Sequence, residues 1–276
     1  MRLAALPSGY VAGEETALVH WLNGGPATPT RTPPRPFQRG VDGRPTLVDN
    51  VETLAHLAQI LRYGPGWFRQ LGTPEEPGSA LVTLSGAVAR PGVYEAPLGC
   101  PLADLLHAAG PPAGIGAVLV GGYFGSWLDA GQAGRARLSN QYLRPLGAGL
   151  GCGAVVVLGE GACGVDHTAR ILAWLAGESA GQCGPCVLGL PAIATAAAQL
   201  RDGRAGALGL LRRWAGQVEG RGGCRLPDGA VRLLRSALAV FADDIQRHVA
   251  GRGCAAAASP APPSMLAATG GGSPWR

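Results

Sequence analysis

Two cysteines close together, and a third farther along the chain, are the residues best suited to hold a metal. Cys183 and Cys186 enclose Gly184-Pro185, and Cys224 follows Gly222-Gly223. Two thiolates three residues apart at a loop-to-helix junction can point at one metal, and backbone N–H groups there can bond to cluster sulfides. The pattern indicates an iron–sulfur or zinc site built from these three cysteines.

A second interpretation of the same cysteines stays open, because buried free cysteines are common in protein cores and need no ligand. A redox dithiol of the thioredoxin type is disfavoured, since no strand precedes the pair in a βαβ unit. The chain has seven cysteines, and Met1 to Tyr10 show no export signal. We therefore expect thiols or metal ligands rather than disulfides, and a cytoplasmic location.

The polar residues near the amino terminus are explained most simply as residues that stabilise the starts of helices. Glu14 and Glu15 stand where a helix is predicted to begin, and acids favour the first turn of a helix. Asp49-Asn50 likewise suits the cap of a second helix. The five histidines are scattered without HxxxH or HExxH spacing, so no role is assigned to them.

The elements that must position these groups are helical at both ends of the chain. A helix is predicted from Glu14 to Trp21, then a Pro-rich arm over residues 25–45, then a helix from Asn50 to Gly64. Asp166 is taken as the N-cap of the next helix, and a final helix is predicted from Pro227 through Ile245. Such amphipathic helices bury their apolar stripes together, so a small bundle follows.

The middle of the chain changes to short apolar strands. Strands are predicted near residues 81–84, 93–96, 117–120 and 154–158, with a helix over 102–109. This is the order of a β-grasp, or ubiquitin-like, domain. The predicted fold class is α+β, with a first segment at 1–75, the β-grasp domain at 76–160, a helical domain at 161–252 and a disordered tail at 253–276.

Composition excludes two classes of function. All 23 basic residues are arginine and are scattered, so nucleic-acid binding is not expected despite the net charge of +5. The longest uncharged run, from Ser179 to Leu200, could cross a bilayer by its length. It begins with small and polar residues and contains Pro191, so we expect no membrane insertion.

Five segments occur in a distinctive order: Tyr10-Val-Ala-Gly-Glu-Glu-Thr-Ala-Leu18, Gly43-Arg-Pro-Thr-Leu-Val-Asp-Asn-Val-Glu-Thr-Leu54, Ser85-Gly-Ala-Val-Ala-Arg-Pro-Gly-Val-Tyr94, Cys163-Gly-Val-Asp166 and Glu178-Ser-Ala-Gly-Gln-Cys-Gly-Pro-Cys186. Five ordered matches are more specific than any one motif. Over residues 9–250 the sequence resembles the family of flavoprotein subunits (F subunits) of bacterial NADH:quinone oxidoreductase (complex I). It is similar also to related subunits of NAD-linked hydrogenases and formate dehydrogenases.

The resemblance implies three parts: the end of an α/β FMN-binding domain, a soluble-ligand-binding β-grasp (SLBB) domain and a helical domain that holds a [4Fe–4S] cluster. In that family NADH passes hydride to FMN, and the cluster passes single electrons to a partner. Other subunits of an NADH dehydrogenase or related oxidoreductase complex are thus the expected partners, and such a complex could also attach the cytoplasmic chain to a membrane. The flavin and nicotinamide positions that it implies are Tyr10, Gly13, Glu14, Glu15, Val48, Asp49, Asn50 and Thr53.

Several features depart from the family pattern. Ala180 stands where the first of three clustered cysteines is expected, and a methyl group cannot ligate iron. Asp49 replaces an asparagine near the flavin, and Val187 replaces an arginine. The Gly-rich loop that cradles the FMN phosphate precedes the first matching segment, so FMN is not expected to bind and the chain is not expected to oxidise NADH alone.

Three functions stay open from the sequence. The first is an electron-transfer subunit, incomplete or truncated, with a 4Fe–4S or 3Fe–4S cluster on Cys183, Cys186 and Cys224, and Ala180 facing the same point. The second is a non-catalytic interaction module that has lost cluster and flavin. The third is a structural zinc site. Colour distinguishes the first from the other two, because iron–sulfur proteins are brown.

Overall fold

A five-stranded mixed sheet forms the centre of the protein, for which a computed structural model describes residues 3–110 and 114–254. The strand order is β2-β1-β5-β3-β4, with only β1 and β5 parallel. The helix α4 (Leu102–Ala108) connects β2 to β3. The strands are β1 (Ser79–Gly86), β2 (Gly92–Pro97), β3 (Ile115–Val120), β4 (Ser126–Asp129) and β5 (Ala154–Gly159).

The four predicted strands and the helix between the second and third are present in the predicted sequence order, and the α+β fold class is confirmed. The sequence prediction missed β4 and two short helices between β4 and β5, namely α5 (Ala130–Arg135) and α6 (Asn140–Leu143). These pieces are only four to six residues long. Segments this short carry too few apolar residues to show a periodicity.

The sheet buries a different core on each face. Along β3, Ala117 and Leu119 belong to one apolar cluster, while Val118 and Val120 belong to the other. This alternation follows from the period of two along a strand. The first face packs on the carboxyl-terminal helices and the second on α4 and α5.

The carboxyl-terminal part is a helical bundle, as predicted. Its members are α7 (Gly164–Gly177), a wide turn at Pro185–Gly189 that continues into α8 (Leu190–Arg201), α9 (Ala207–Val218), α10 (Leu226–Val240) and α11 (Ala242–Val249). The amphipathic stripe of α10 is buried against both the sheet and α7. The bundle and the sheet therefore share one apolar core.

Two predictions about helix ends were wrong. The N-cap of α7 is Cys163 rather than Asp166, whose N–H donates to the Cys163 sulfur at 3.3 Å. The Asp166 carboxylate instead pairs with Arg170, one turn along the helix. The predicted final helix is divided at Phe241, which has non-helical backbone angles and packs its ring edge-on against Trp127.

The amino-terminal segment contains α1 (Glu15–Leu22), α2 (Val51–Tyr63) and α3 (Pro65–Phe68). The Tyr10 N–H donates to Glu178, and the Tyr10 ring packs on Phe124 and Trp174. These contacts attach the segment to the bundle. In contrast, α2 has no buried residue.

Within the described residues, no helix has the length and apolar character needed to cross a bilayer. The predicted disordered tail lies, from residue 255 onward, outside the described residues.

Candidate metal centre

Ala180, Cys183, Cys186 and Cys224 line one cavity of about 680 Å³. Ala180 and Cys183 lie in the loop that follows α7, and Cys186 lies in the wide turn before α8. Cys224 lies just before α10. The three thiols and the alanine methyl group are thus brought to one end of the bundle, where two helices begin.

The two cysteines of the pair are hydrogen-bonded to each other through their thiols. Burial raises the pKa of Cys186 to about 12, and the neighbouring Cys183 adds to that rise. Burial also opposes the Cys183 thiolate, but N–H groups of Gly223 and Cys186 donate to its sulfur, and its pKa is lowered overall. Cys183 is therefore the thiol of this pair that more readily forms a thiolate.

Backbone N–H groups reach all three sulfurs. Besides the two donors to Cys183, the N–H of Gly181 bonds to Cys186 and that of Leu226 bonds to Cys224. Burial raises the pKa of Cys224 despite that bond. N–H donors to ligand sulfur are among the features that tune iron–sulfur clusters.

The Pro-rich arm forms the opposite wall of the cavity. Arg31 lines it from the arm, and Arg221 lines it from the loop before α10. The arm is held in place because Gln182 donates to Thr28 at 3.1 Å. These two arginines add positive charge to the lining, whereas burial and, to a smaller extent, the carboxylates of Glu14 and Asp228 raise the pKa of Cys224.

The first group of predicted flavin-pocket residues has structural partners. The Glu14 carboxylate caps α1 by accepting the N–H groups of Thr16 and Ala17. Glu15 pairs with Arg35 at 3.2 Å. Gly13 is exposed, and the Tyr10 hydroxyl has its pKa raised to about 12, chiefly by burial.

The second group lies at the start of α2. Asn50 caps this helix by accepting the Thr53 N–H at 2.8 Å, and Asp49 accepts the N–H of Asn50. Val48 is half-buried. Across residues 3–110 and 114–254, no hydrogen bond or ion pair joins these residues to the first group.

A third group was missed by sequence reasoning. Cys163, His248 and Cys254 place their ligand atoms within 4.8 Å of one another. Cys163 is 85 residues away from His248 along the chain, so only the fold could reveal the group.

Two family models match the chain. The NADH-ubiquinone oxidoreductase-F iron-sulfur binding region matches residues 166–248, and the SLBB domain matches residues 81–117. One of two NADH-quinone oxidoreductase F subunits of Rhizobium meliloti is 36% identical over 251 residues, which are 89% of this chain and 59% of that protein. The corresponding F subunit of Streptomyces coelicolor is 36% identical, over 89% of this chain and 56% of that protein.

This chain is a homologue of NADH-quinone oxidoreductase F subunits, which match 89% of its length, and it contains their iron–sulfur binding region and an SLBB domain. It spans somewhat over half the length of the curated relatives that it matches. Among solved structures, it is similar to a chain of NAD⁺-reducing [NiFe]-hydrogenase in the H₂-reduced state. The TM-score is 0.82 and the identity is 34%, over 89% of this chain and 42% of that one. The expected resemblance is thus confirmed.

The matched iron–sulfur binding region contains the lining cysteines of the cavity. This supports an iron–sulfur cluster as the cofactor. The fit to the residues present is good for three ligands, because three thiols with N–H donors surround one cavity. At the fourth corner, Ala180 offers no ligand atom. The relatives' amino-terminal FMN region is not covered by this chain.

Proposed function

We propose that this chain is an electron-transfer subunit whose iron–sulfur cluster is held by Cys183, Cys186 and Cys224. One observation carries the proposal: these thiols line a single cavity together with Ala180, inside the region that matches the iron–sulfur family model. A bound cluster would supply one-electron transfer.

Each cysteine thiolate ligates one iron atom, so the three cysteines ligate three. The fourth iron position of a cubane cluster would lie near Ala180. Either an iron there takes solvent or an outside ligand, or the cluster has three irons and lacks that position. In both cases the cluster is more exposed to oxygen than one with four thiolates. Ala180 therefore affects the stability of the cluster, because it leaves one iron position without a protein ligand.

Backbone N–H groups stabilise negative charge on the sulfurs of the site. Arg31 and Arg221 line the cavity, and the N–H groups of Gly181, Gly223 and Leu226 bond to the sulfurs. Cationic side chains and N–H donors raise the reduction potential of a cluster, because they favour the form that has gained an electron.

The partners that fit this role are other subunits of an NADH dehydrogenase or related oxidoreductase complex, in the cytoplasm. Relatives of this chain carry the names of such subunits, and a similar chain belongs to an NAD⁺-reducing hydrogenase. Because the relatives' FMN region is not covered here, the proposal is limited to electron transfer through the metal centre. We assign no catalytic residue.

The test is reconstitution of the whole chain with ferrous iron and sulfide under anaerobic conditions. We expect iron and sulfide to bind in equal or nearly equal amounts, with brown colour and an electron paramagnetic resonance signal in one oxidation state. Cys224→Ser should lose most of the iron. Cys100→Ser, a cysteine on the other face of the sheet, is the matched control and should retain it.

A colourless chain after reconstitution would support the interaction-module alternative. Tight zinc binding at these cysteines without iron uptake would support the structural zinc alternative. Equal iron content in Cys224→Ser and the wild-type chain would contradict the assigned ligands.

A further inference from the structure

A second group of metal-binding side chains lies away from the cavity just described. The Nε2 atom of His248 is 3.3 Å from the sulfur of Cys163 and 3.0 Å from the sulfur of Cys254. All three ligand atoms lie within 4.8 Å of one another. The group shares no residue with the site at Cys183.

The start of α7, the end of α11 and the segment that follows α11 bring this group together. Cys163 caps the start of α7 and is 5% exposed, while His248, near the end of α11, is 4% exposed. Cys254 follows α11 and is half-buried. Polar atoms that face one another in this way are satisfied either by hydrogen bonds among themselves or by a shared partner such as a metal ion.

The orientation of the imidazole favours a metal. Its Nδ1 atom lies 2.6 Å from the carbonyl oxygen of Arg201, and a carbonyl can only accept. Nδ1 therefore carries the hydrogen, and the Nε2 lone pair of the neutral ring points between the two sulfurs. Metal-bound histidines almost always donate their other N–H in this way. The Cys163 sulfur also has an outer partner, the Asp166 N–H at 3.3 Å.

We propose that Cys163, His248 and Cys254 bind one Zn²⁺ ion. Two sulfurs and one imidazole nitrogen are a donor set that zinc prefers. Tetrahedral bonds of about 2.3 Å to sulfur and about 2.1 Å to nitrogen place those atoms about 3.6 Å apart. The two observed sulfur–nitrogen distances are within several tenths of an ångström of this value. Binding releases the two thiol protons to solvent.

The fourth zinc ligand in this site is a solvent molecule. Cys254 lines a separate cavity of about 750 Å³, so water can reach the metal from that side. The metal joins the start of α7 to the end of α11, and through His248 to the end of α8. It acts as a structural cross-link that holds the last helix on the bundle.

The experiment uses the full chain with the first site removed by Cys183→Ser, Cys186→Ser and Cys224→Ser together. The protein is purified with a reductant and titrated with Zn²⁺ against a coloured chelator. Cobalt(II) then serves as a spectroscopic probe, because thiolate-to-cobalt charge transfer reports sulfur ligation. We expect one Zn²⁺ per chain, a sulfur-ligated cobalt spectrum and a higher melting temperature with metal.

Adding Cys254→Ser to this background should weaken zinc binding by more than about 100-fold, since loss of an outer partner alone typically costs about 10- to 100-fold. Adding Cys152→Ser, an exposed cysteine outside both groups, is the control and should change nothing. Circular dichroism verifies that each variant is folded.

Three results would overturn the proposal: no zinc bound by the background chain, zinc retained in the Cys254→Ser variant, or a Cys163–Cys254 disulfide in protein purified with reductant. The background chain lacks the three cysteines of the proposed cluster. The zinc result therefore does not depend on the iron–sulfur proposal, and failure of either proposal leaves the other untouched.

Discussion

Gly229 of α10 lies so close to the ring of Phe124 that a Cβ atom on it would be 2.4 Å from ring carbons. Phe124 belongs to the short turn at Gly122–Phe124 that precedes β4. The glycine thus allows α10 to approach the sheet closely. This is a packing requirement, because Gly229 lies inside a regular helix.

We therefore expect Gly229→Ala to destabilise the protein by about 1–3 kcal/mol, as overpacking of a tight core does. Urea unfolding followed by circular dichroism measures this change. Gly216→Ala in α9 is the matched control, since nothing lies within 4 Å of its added Cβ. The control should stabilise the protein by about 0.5–1 kcal/mol, because alanine favours the helix. Destabilisation of both variants alike would contradict the contact.

Ala180→Cys should complete the metal centre. A fourth thiol at a position that already lines the cavity can ligate the corner left open by the alanine. After anaerobic reconstitution we expect a higher iron content and slower loss of visible absorbance in air than in the wild-type chain. Ser179→Cys is the control, because Ser179 does not line the cavity. Equal increases in iron content and air stability in both variants would show that the effect of the added thiol does not depend on its position.

Leucines of α2 should contribute little to the stability of this chain. Leu54, Leu57 and Leu61 are 51%, 50% and 79% exposed, although they share an apolar face. We expect each substitution by alanine to change the free energy of unfolding by less than about 0.5 kcal/mol. Leu172→Ala, at a position only 1% exposed, should cost about 2–5 kcal/mol. A large loss from the α2 variants would mean that their face is covered in solution.

Glu14 and Glu15 should differ in their effect on stability. Glu14 caps α1 with its carboxylate, so Glu14→Ala should cost about 1 kcal/mol. Glu15 makes an exposed ion pair with Arg35, so Glu15→Ala should cost less than about 0.5 kcal/mol. Chemical denaturation of the two variants measures both values. Equal effects would show that the cap contributes no more than a surface charge.

The sequence was sufficient to predict elements whose cause is local. Helix α2 begins after Asn50, whose side chain accepts a first-turn N–H, and ends before Gly64, whose φ is positive at 86°. Both ends were predicted. The approach of Cys183 and Cys186 follows from their three-residue spacing. The approach of Cys224 depended on the bundle, yet its position before an amphipathic helix indicated which end it would occupy.

Other features depend on contacts between distant segments and could not be predicted. The apolar repeat continues from Val231 to Ile245 without a gap, so nothing in it shows the break at Phe241. That break accompanies the packing of Phe241 on Trp127, a residue of β4. Likewise, Cys163 and His248 meet only because α11 folds back onto the start of α7.

The apolar core shared by the sheet and the bundle makes their stabilities interdependent. Leu119 and Val156 of the sheet belong to the same cluster as Leu172 of α7 and Val231 of α10. Neither part can separate without exposing the other, so the two should unfold in a single cooperative transition. A ligand bound only by the native bundle stabilises the whole unit by thermodynamic linkage. The slowest amide hydrogen exchange in β3 and β5 should therefore become slower still when metal binds to the helices.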